Sequence, residues 1–193
     1  MKKVEIPLTR AGRLINAGPV VLVTSHYKDK ANVMTAAWVT PLSFSPPLVG
    51  IAIHPARFTY DLIKKSEQFA INVPGISLLK AVEICGTVSG RDVDKFKKAG
   101  ITPVDALEID VPLVEECLGH IECVLVDAFT VGDHTLFVGQ VVSASVVEGI
   151  FDEVWKLEEE EAKPLHHLGG SFYALLEKRI ESPSTEEEEE EGD

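Results

Sequence analysis

The sequence predicts a mainly β protein, an antiparallel barrel of about six strands closed by Greek-key connections and flanked by short helices. Short β-branched and apolar runs recur along the chain and are separated by turn residues. The helical segments between them are too short and irregular for the strand–helix alternation of a parallel sheet. The 193 residues, 45% of them hydrophobic, suffice for one domain whose core needs no disulfide or metal.

The strands are identified from apolar runs that stop at turn residues. The first two flank a polar Lys-Asp-Lys segment, which predicts a hairpin. Gly132 and Asp133 lie between the last two, where glycine supplies the positive φ of a two-residue hairpin turn. The predicted strands are residues 20–24, 32–38, 48–53, 69–73, 120–131 and 134–147.

Three short helices are predicted between strands from their start and stop residues. They are residues 60–65 after Thr59, residues 78–85 between Ser77 and Gly86, and residues 93–99 between Asp92 and Gly100. The third is the best marked, because an acidic residue precedes it and two lysines lie near its end.

The last third of the chain changes character. Residues 155–162 are predicted to be a helix, residues 165–171 a loop rich in His and Gly, and residues 172–180 either a helix or a strand. From residue 182 onward the chain holds six consecutive glutamates and nothing that can form a core. The expected division is a domain over residues 1–181 and a disordered acidic tail over 182–193.

The charge and the cysteines exclude several classes of protein. The formal net charge is −13, so the basic surface required by nucleic acid or anionic lipid is missing. No apolar stretch is long enough for a signal peptide or a membrane-spanning helix. Three unevenly spaced cysteines indicate free thiols in a reducing cytoplasm. His166 and His167 are adjacent and point apart, so no metal site is expected.

Polar residues in or beside the apolar strands are the candidates for chemistry, since no hydrolase, P-loop or dinucleotide motif is present. Taken singly, each is explained by hydrogen bonds to the backbone at a turn. Taken together, they resemble the lining of a site for a polar, planar, phosphorylated ligand. They are Asn32, Thr35, Ser43, Ser45, His54, Arg57, Thr59 and Asn72.

Six segments carry a resemblance to a known family. They are NVMTAAW (32–38), SPPL (45–48), HPARFT (54–59), FAINV (69–73), CGTVSGRDVDKF (85–96) and GDHTLFVG (132–139). In this order they resemble the flavin reductase family with the FMN-binding split barrel, most closely its flavoredoxin-like branch, over about residues 7–175. The resemblance implies a six-stranded antiparallel Greek-key split barrel and a homodimer with one FMN per subunit near the interface.

The resemblance and the chemistry of FMN suggest which residues bind the cofactor. Arg57, beside Thr59 at a helix start, suits the phosphate. Lys95 lies in a segment that the family brings toward the flavin, although a solvated helix lysine is an equal alternative. The edge of the ring needs hydrogen-bond donors and acceptors, which one strand and its backbone can supply. The remaining cofactor candidates are Asn32, Met34, Thr35, Ala36 and His54.

His134 is the candidate catalytic residue. In the family the Gly-Asp-His segment lies near the nicotinamide or acceptor site, which suggests that His134 orients the reducing nucleotide. Hydride transfer between nicotinamide and flavin needs no protein acid or base.

Trp38 is expected to cover the flavin ring or, preferably, the dimer interface. Cys85 is expected to be a packed thiol, with a redox role as the alternative.

The sequence therefore predicts an FMN-dependent oxidoreductase of the cytoplasm. It would take hydride from NADH or NADPH and pass electrons to free flavin, a ferric chelate or a protein acceptor. Two alternatives stay open. One is an electron carrier whose FMN is reduced by a partner protein, and the other is a flavin-binding module without turnover.

Overall fold

The fold is given by a computed structural model that describes residues 1–182, apart from the side chain of Glu161. Nearly all of the predicted acidic tail lies outside the described residues, so its disorder stays a prediction. Among the residues described, no helix is long and apolar enough to cross a membrane.

Strands make up most of the regular structure. They are β1 (Gly18–Pro19), β2 (Val21–Tyr27), β3 (Lys30–Ala36), β4 (Val39–Phe44), β5 (Pro47–Ile53), β6 (Gln68–Val73), β7 (Pro103–Val104), β8 (Leu113–Val114), β9 (Gly119–Val131), β10 (His134–Val146), β11 (Phe151–Asp152), β12 (Val154–Trp155), β13 (Leu165–Gly169) and β14 (Phe172–Leu175). The α-helices are α1 (Phe58–Ser66), α2 (Leu79–Thr87) and α3 (Lys95–Ala99), and 3₁₀ helices cover Leu8–Leu14, Ile76–Leu78 and Glu160–Ala162.

One seven-stranded antiparallel sheet dominates the fold, in the order β3-β2-β6-β9-β10-β5-β4. Its two edge strands, β3 and β4, are consecutive in the chain and are separated only by Ala37 and Trp38. Three Cα–Cα steps span at most about 11 Å, so the sheet must curl until its edges nearly meet. The predicted antiparallel barrel is confirmed, with one strand more than the six expected.

Two of the three buried hydrophobic clusters lie on opposite faces of β2, which is buried on both sides. Val21 and Val23 point into the barrel, where they join Ile51, Phe69 and other residues of the inner cluster. Leu22, one residue out of phase, packs instead with the outer cluster formed under α2 and α3. A strand covered on both sides reads as a continuous apolar run, which is the pattern of residues 20–24.

All six predicted strands are present, as β2, β3, β5, β6, β9 and β10. In the main sheet, the strand that the sequence did not reveal is β4, which contains Thr40, Pro41 and Ser43 and is mostly exposed. It is an edge strand, where proline is tolerated because one side of the backbone forms no ladder. Gly132, at φ 61°, occupies the predicted hairpin turn between β9 and β10.

Several predicted helix caps are wrong. Thr59 lies inside α1 and is buried, and Arg57 occupies the cap position. Gly86 lies within α2, and Ser77 belongs to the preceding 3₁₀ turn. Asp94 caps α3 in place of Asp92, because its side chain accepts a hydrogen bond from the backbone N–H of Lys97. The stop at Gly100, with φ 68°, is confirmed.

The last third also departs from prediction. Residues 155–162 form no α-helix, and β12 and one 3₁₀ turn lie there instead. The four consecutive glutamates 158–161 place like charges close together, including one pair three residues apart, which disfavours a helix. The predicted loop 165–171 contains β13, anchored by the buried Leu165, and the undecided segment 172–180 contains the strand β14.

Gly139 on β10 provides a test of the barrel core. A Cβ there would lie 2.9 Å from the Cβ of Cys123 and even closer to the ring of the buried Phe69. Gly139→Ala is therefore expected to lower the free energy of unfolding by about 1–3 kcal/mol, measured by urea denaturation. Gly12→Ala is the matched control, since nothing lies within 4 Å of its Cβ position. Equal effects of the two substitutions would contradict the packing described here.

Candidate functional site

Three adjoining cavities lie along one side of the barrel, and Thr35 of β3 lines all of them. The α1 cavity, about 240 Å³, lies between β3, the start of α1 and residues 85–95. The histidine cavity, about 200 Å³, is lined by Met34, Trp38, His54, His134 and neighbouring residues. The β13 cavity, about 240 Å³, is lined by Glu83, His167 and Tyr173 among others.

The structure brings together all nine residues predicted for cofactor binding and catalysis, whereas Ser43, Ser45 and Asn72, which were also expected in the lining, border none of the three cavities. The α1 cavity contains Asn32, Met34, Thr35, Arg57, Thr59 and Lys95. The histidine cavity contains Met34, Thr35, Ala36, His54, Arg57 and His134. Two cavities that share three residues thus collect side chains from β3, β5, β10, α1 and α3. Their roles toward a cofactor remain predictions.

A buried amide forms the floor of the α1 cavity. Asn32 donates from Nδ2 to Oγ1 of the buried Thr59 at 2.7 Å. Its Oδ1 is buried and has no hydrogen-bond partner among the described residues. Gly90 lies so close that a Cβ there would be 2.8 Å from Cγ of Asn32. Thr59 thus positions the amide, and Oδ1 of Asn32, which lies against Gly90, has no hydrogen-bond donor among the described residues.

Two cations face the same cavity. Lys95, only 5% exposed, donates from Nζ to the carbonyl oxygen of Cys85 at 2.7 Å. Burial lowers the pKa of Lys95, and the positive charge of Arg57 lowers it further. Arg57 is exposed and forms no ion pair with any described residue. The alternative of Lys95 as a solvated helix lysine is wrong, and an anion in this cavity would meet two positive charges.

The cysteines are packed thiols. Cys85 on α2 is 1% exposed, and Cys117 and Cys123 are also buried and unpaired. Burial raises the pKa of the Cys85 thiol to about 11, against an opposing effect of the Lys95 charge. This confirms the packed-thiol interpretation, since a thiol that stays protonated at neutral pH is a poor nucleophile.

The histidine cavity holds an aromatic cluster. The rings of His54 and His134 have centroids 5.4 Å apart and stand nearly perpendicular, and the Trp38 ring lies 4.6 Å from His134. The β5–β10 ladder sets this arrangement, because Ile53 and Thr135 are direct partners. Nδ1 of His134 contacts the carboxylate of Asp133 at 2.7 Å, and this hydrogen bond lowers the pKa of Asp133.

His167 is a site residue that the sequence did not reveal. It was expected in a solvated loop, but it lies on β13 and lines both the histidine and β13 cavities. Its Nε2 donates to the carbonyl of Gly170 at 3.0 Å, and its buried Nδ1 has no partner in the described part of the chain. The sequence feature that could have revealed this strand is the Gly169-Gly170 pair. Both glycines have positive φ and form the turn of the β13–β14 hairpin.

No metal is indicated here. Among the described residues, no group of three or more His, Cys, Asp or Glu side chains is arranged to hold a metal ion.

Comparison with known proteins decides the family. Residues 13–176 match the family model described as the flavin reductase like domain. The chain belongs to this family. It is 39% identical over 183 residues to YddH of Escherichia coli K12, covering 92% of this chain and 96% of that protein.

Solved structures agree with the assignment. An FMN-binding protein from Thermus thermophilus, solved with bound 1-cyclohex-2-enone, has a TM-score of 0.79 and 29% identity, covering 95% of this chain and 99% of that one. The flavoredoxin of Desulfovibrio vulgaris (Miyazaki F) has a TM-score of 0.83 and 26% identity, covering 96% and 98%. The split-barrel architecture and the flavoredoxin-like resemblance are thereby confirmed.

The α1 cavity fits the chemistry of FMN, the cofactor implied by these neighbours. Arg57 and Lys95 match the charge of a phosphate. The unsatisfied Oδ1 of Asn32 requires a donor, which the hydroxyls of a ribityl chain provide. Thr35 joins this cavity to the next, so a ligand with a charged end and a flat end can extend from one to the other.

The buried thiols predict a loss of stability at alkaline pH. An unfolded thiol ionises from about pH 9, whereas folded Cys85 keeps its proton to about pH 11. Its contribution to the free energy of unfolding is therefore complete below pH 9 and falls by about 2–3 kcal/mol toward pH 11. Urea unfolding of the wild type and of Cys85→Ser at several pH values measures this contribution of Cys85 to the free energy of unfolding.

The serine variant should lose stability less steeply over this range, because a hydroxyl does not ionise there. Cys123, which does not interact with Cys85, titrates in both proteins and cancels in the comparison. Lys95 and Cys117 interact with the Cys85 charge, so their titrations contribute to the measured difference. If the free energies of unfolding of the wild type and of Cys85→Ser change with pH in parallel, folding does not protect Cys85 from ionisation.

Proposed function

We propose that the protein is an FMN-dependent oxidoreductase that takes hydride from NADH or NADPH and passes the electrons to a small-molecule or protein acceptor. The observation that supports this most is the α1 cavity, where two cations and a buried unsatisfied acceptor lie within one space. Bound FMN would supply reversible two-electron chemistry. Family membership and the FMN-binding neighbours point the same way.

In this proposal the protein binds and orients, and its residues divide by ligand group. Arg57 and Lys95 hold the phosphate, and Asn32 accepts from a ribityl hydroxyl. Met34, Thr35 and Ala36 of β3 border the flat ring, which lies toward the histidine cavity. His54 and His134 contact the incoming nicotinamide there, and Trp38 limits access of water. Position and electrostatics supply the rate enhancement.

The proposed assembly is a homodimer. Large apolar side chains are exposed, among them Phe44 on β4 at 99%, Trp38 at 53% and Phe129 on β9 at 50%. These side chains are apolar surface that a second subunit would bury. A second subunit covering Trp38 would close the histidine cavity on its open side. The free thiols are consistent with the proposed work in the cytoplasm.

A pure electron carrier is the second candidate. It is favoured by the likeness to flavoredoxin over nearly the whole chain. In a carrier the flavin would be bound equally well, but reduction would come from a partner protein and NADH would react slowly. A flavin-binding module without turnover would be reduced by neither.

The purified protein should be yellow and release one FMN per chain. Anaerobic stopped-flow mixing with NADH and NADPH should bleach the flavin absorbance on the timescale of turnover. Slow bleaching by both nucleotides, with fast reduction by a ferredoxin system, would favour the carrier. Protein that stays colourless after incubation with FMN would refute both the oxidoreductase and the electron-carrier proposals.

Arg57→Ala should weaken FMN binding more than riboflavin binding, since only FMN carries the phosphate. A charge-assisted contact corresponds to roughly 10- to 150-fold in affinity. Fluorescence quenching of each flavin titrated with protein gives the two dissociation constants. Arg10→Ala, an exposed arginine outside the three cavities, should change neither. Equal weakening for both flavins in Arg57→Ala would mean that Arg57 acts through the fold.

A further inference from the structure

One arginine joins two walls of the α1 cavity. The first wall is the start of α1, residues 56–59, and the second is formed mainly by residues 85–90. Arg91 follows directly after the second wall. Its Nη1 donates to the carbonyl oxygen of Ala56 at 3.0 Å, and its Nη2 donates to Oδ2 of Asp61 at 2.6 Å. These two hydrogen bonds, called here the Arg91 clamp, connect the loop between α2 and α3 to the beginning of α1.

The same guanidinium lies over a ring of the cavity wall. Its Cζ is 5.3 Å from the ring centroid of Phe58, and Phe58 borders the α1 cavity. A cation over an aromatic face adds attraction between the two segments. Arg91 and Asp61 themselves border none of the three cavities. They contact the residues of the walls and not the space that a ligand would fill.

Arg91 is the point at which this loop is bonded to α1. Within the described residues 1–182, it makes both of the hydrogen bonds that join residues 88–94 to residues 54–61. The loop is otherwise bonded to itself, since the N–H of Asp92 donates to the carbonyl oxygen of Ser89 at 3.1 Å. A segment that is bonded internally and attached to its neighbour through one side chain can open as a unit when that attachment breaks.

The loop reaches the floor of the cavity at Gly90. A Cβ there would lie 2.8 Å from Cγ of Asn32 and 3.1 Å from Cδ1 of Phe58, so the glycine is in close contact with both side chains. The chain then continues to Lys95 at the start of α3, whose ammonium group is buried beside the cavity. Displacement of the loop would therefore move the wall at Gly90 and the segment that leads to this cation.

We propose that Arg91 is a positioning residue that holds the α1 cavity closed around FMN and sets the rate at which the flavin leaves. The proposal rests on the proposed function, because it takes the α1 cavity as the FMN site. A flavin enclosed between the two walls leaves when the loop moves away from α1. Loss of the Arg91 clamp favours this movement and so raises the dissociation rate.

An arginine that touched the phosphate would behave differently. It would distinguish FMN from riboflavin, as expected of Arg57, whereas the Arg91 clamp acts on both flavins alike. Asp61, on the first turn of α1, sharpens the distinction. Removal of a negative charge near an anion site favours the anion, but removal of one half of the clamp weakens its binding. Faster release of FMN from Asp61→Asn is therefore opposite to the effect of charge alone.

The first measurement is the dissociation rate of flavin from holoprotein. Protein loaded with FMN or with riboflavin is diluted far below the dissociation constant, and the rise in free-flavin fluorescence gives the rate. Arg91→Met should raise the rate about 3- to 30-fold for both flavins. Arg179→Met is the matched control, because it removes an arginine that pairs with Glu158 outside the three cavities. It should change neither rate.

A double-mutant cycle tests the partner. Asp61→Asn should speed the release of both flavins by less than Arg91→Met does, because the hydrogen bond from Arg91 to Ala56 remains. The variant with both substitutions should release flavin about as fast as Arg91→Met alone, since the two single changes break the same ion pair.

Ionic strength gives a further readout. The side chains of Arg91 and Asp61 are 43% and 44% exposed, so added salt weakens their attraction. Riboflavin carries no charge, and salt therefore acts on its release through the protein. Release of riboflavin should become faster with salt in the wild type and should not do so in Arg91→Met.

Hydrogen exchange of the apoprotein tests the Arg91 clamp without any flavin. A peptide covering residues 88–94 should exchange faster in Arg91→Met and in Asp61→Asn than in the wild type. Peptides from β9 and β10 should exchange at the wild-type rate in both variants. Faster exchange in all peptides would mean a general loss of stability and would overturn the assigned role of Arg91.

Unchanged flavin release in Arg91→Met, faster release of FMN alone, or additive effects of the two substitutions overturns the proposal. Unchanged exchange of residues 88–94 overturns it as well. Any of these results with a wild type that binds FMN refutes this inference and leaves the proposed function standing. Failure of the wild type to bind FMN refutes the proposed function itself.

Discussion

The structure depends on one constraint of chain connectivity. Ala37 and Trp38 alone separate β3 from β4, yet these strands lie at opposite edges of the main sheet. The sheet has to close into a barrel for that link to be possible, and the N–H of Ala52 on β5 donates to the backbone carbonyl of Trp38 at 2.9 Å, which attaches the link to the β4–β5 side of the sheet. The same closure brings the polar residues of β3 against the ends of β5 and β10. The three cavities are therefore a consequence of the closure.

Sequence patterns predicted what local chemistry determines. Continuous apolar runs such as residues 48–53 revealed strands, because a buried strand needs apolar side chains wherever the rest of the fold lies. Gly100 revealed a helix end, because its positive φ is a local requirement. The strand β4 was not predicted, because an exposed edge strand does not need the apolar side chains of a buried strand. The capping role of Thr59 was wrong because burial against Asn32, a tertiary contact, determines what its hydroxyl does.

The candidate site was recognised through a resemblance and not through spacing. Asn32, Arg57, Lys95 and His134 come from four separated segments, and no periodicity connects them. Their convergence is a property of the closed barrel. His167 lay outside every segment that carried the resemblance, and its place in the site depends on the β1–β13 pairing, which two-residue β1 gives no pattern to predict. Sequence reasoning therefore found the residues of the main sheet and missed the one contributed by the small sheet.

The free energy of folding and the proposed binding site are linked through the α1 cavity. A buried cation at Lys95, held by a single carbonyl, opposes folding, as its lowered pKa shows. The buried Oδ1 of Asn32 adds a cost of about 1–3 kcal/mol for an acceptor without a donor. A ligand that brings an anion and a hydroxyl into the cavity removes both costs, and it gains that free energy only in the folded state. If the proposed function holds, side chains that weaken the fold without a ligand would strengthen the complex with one.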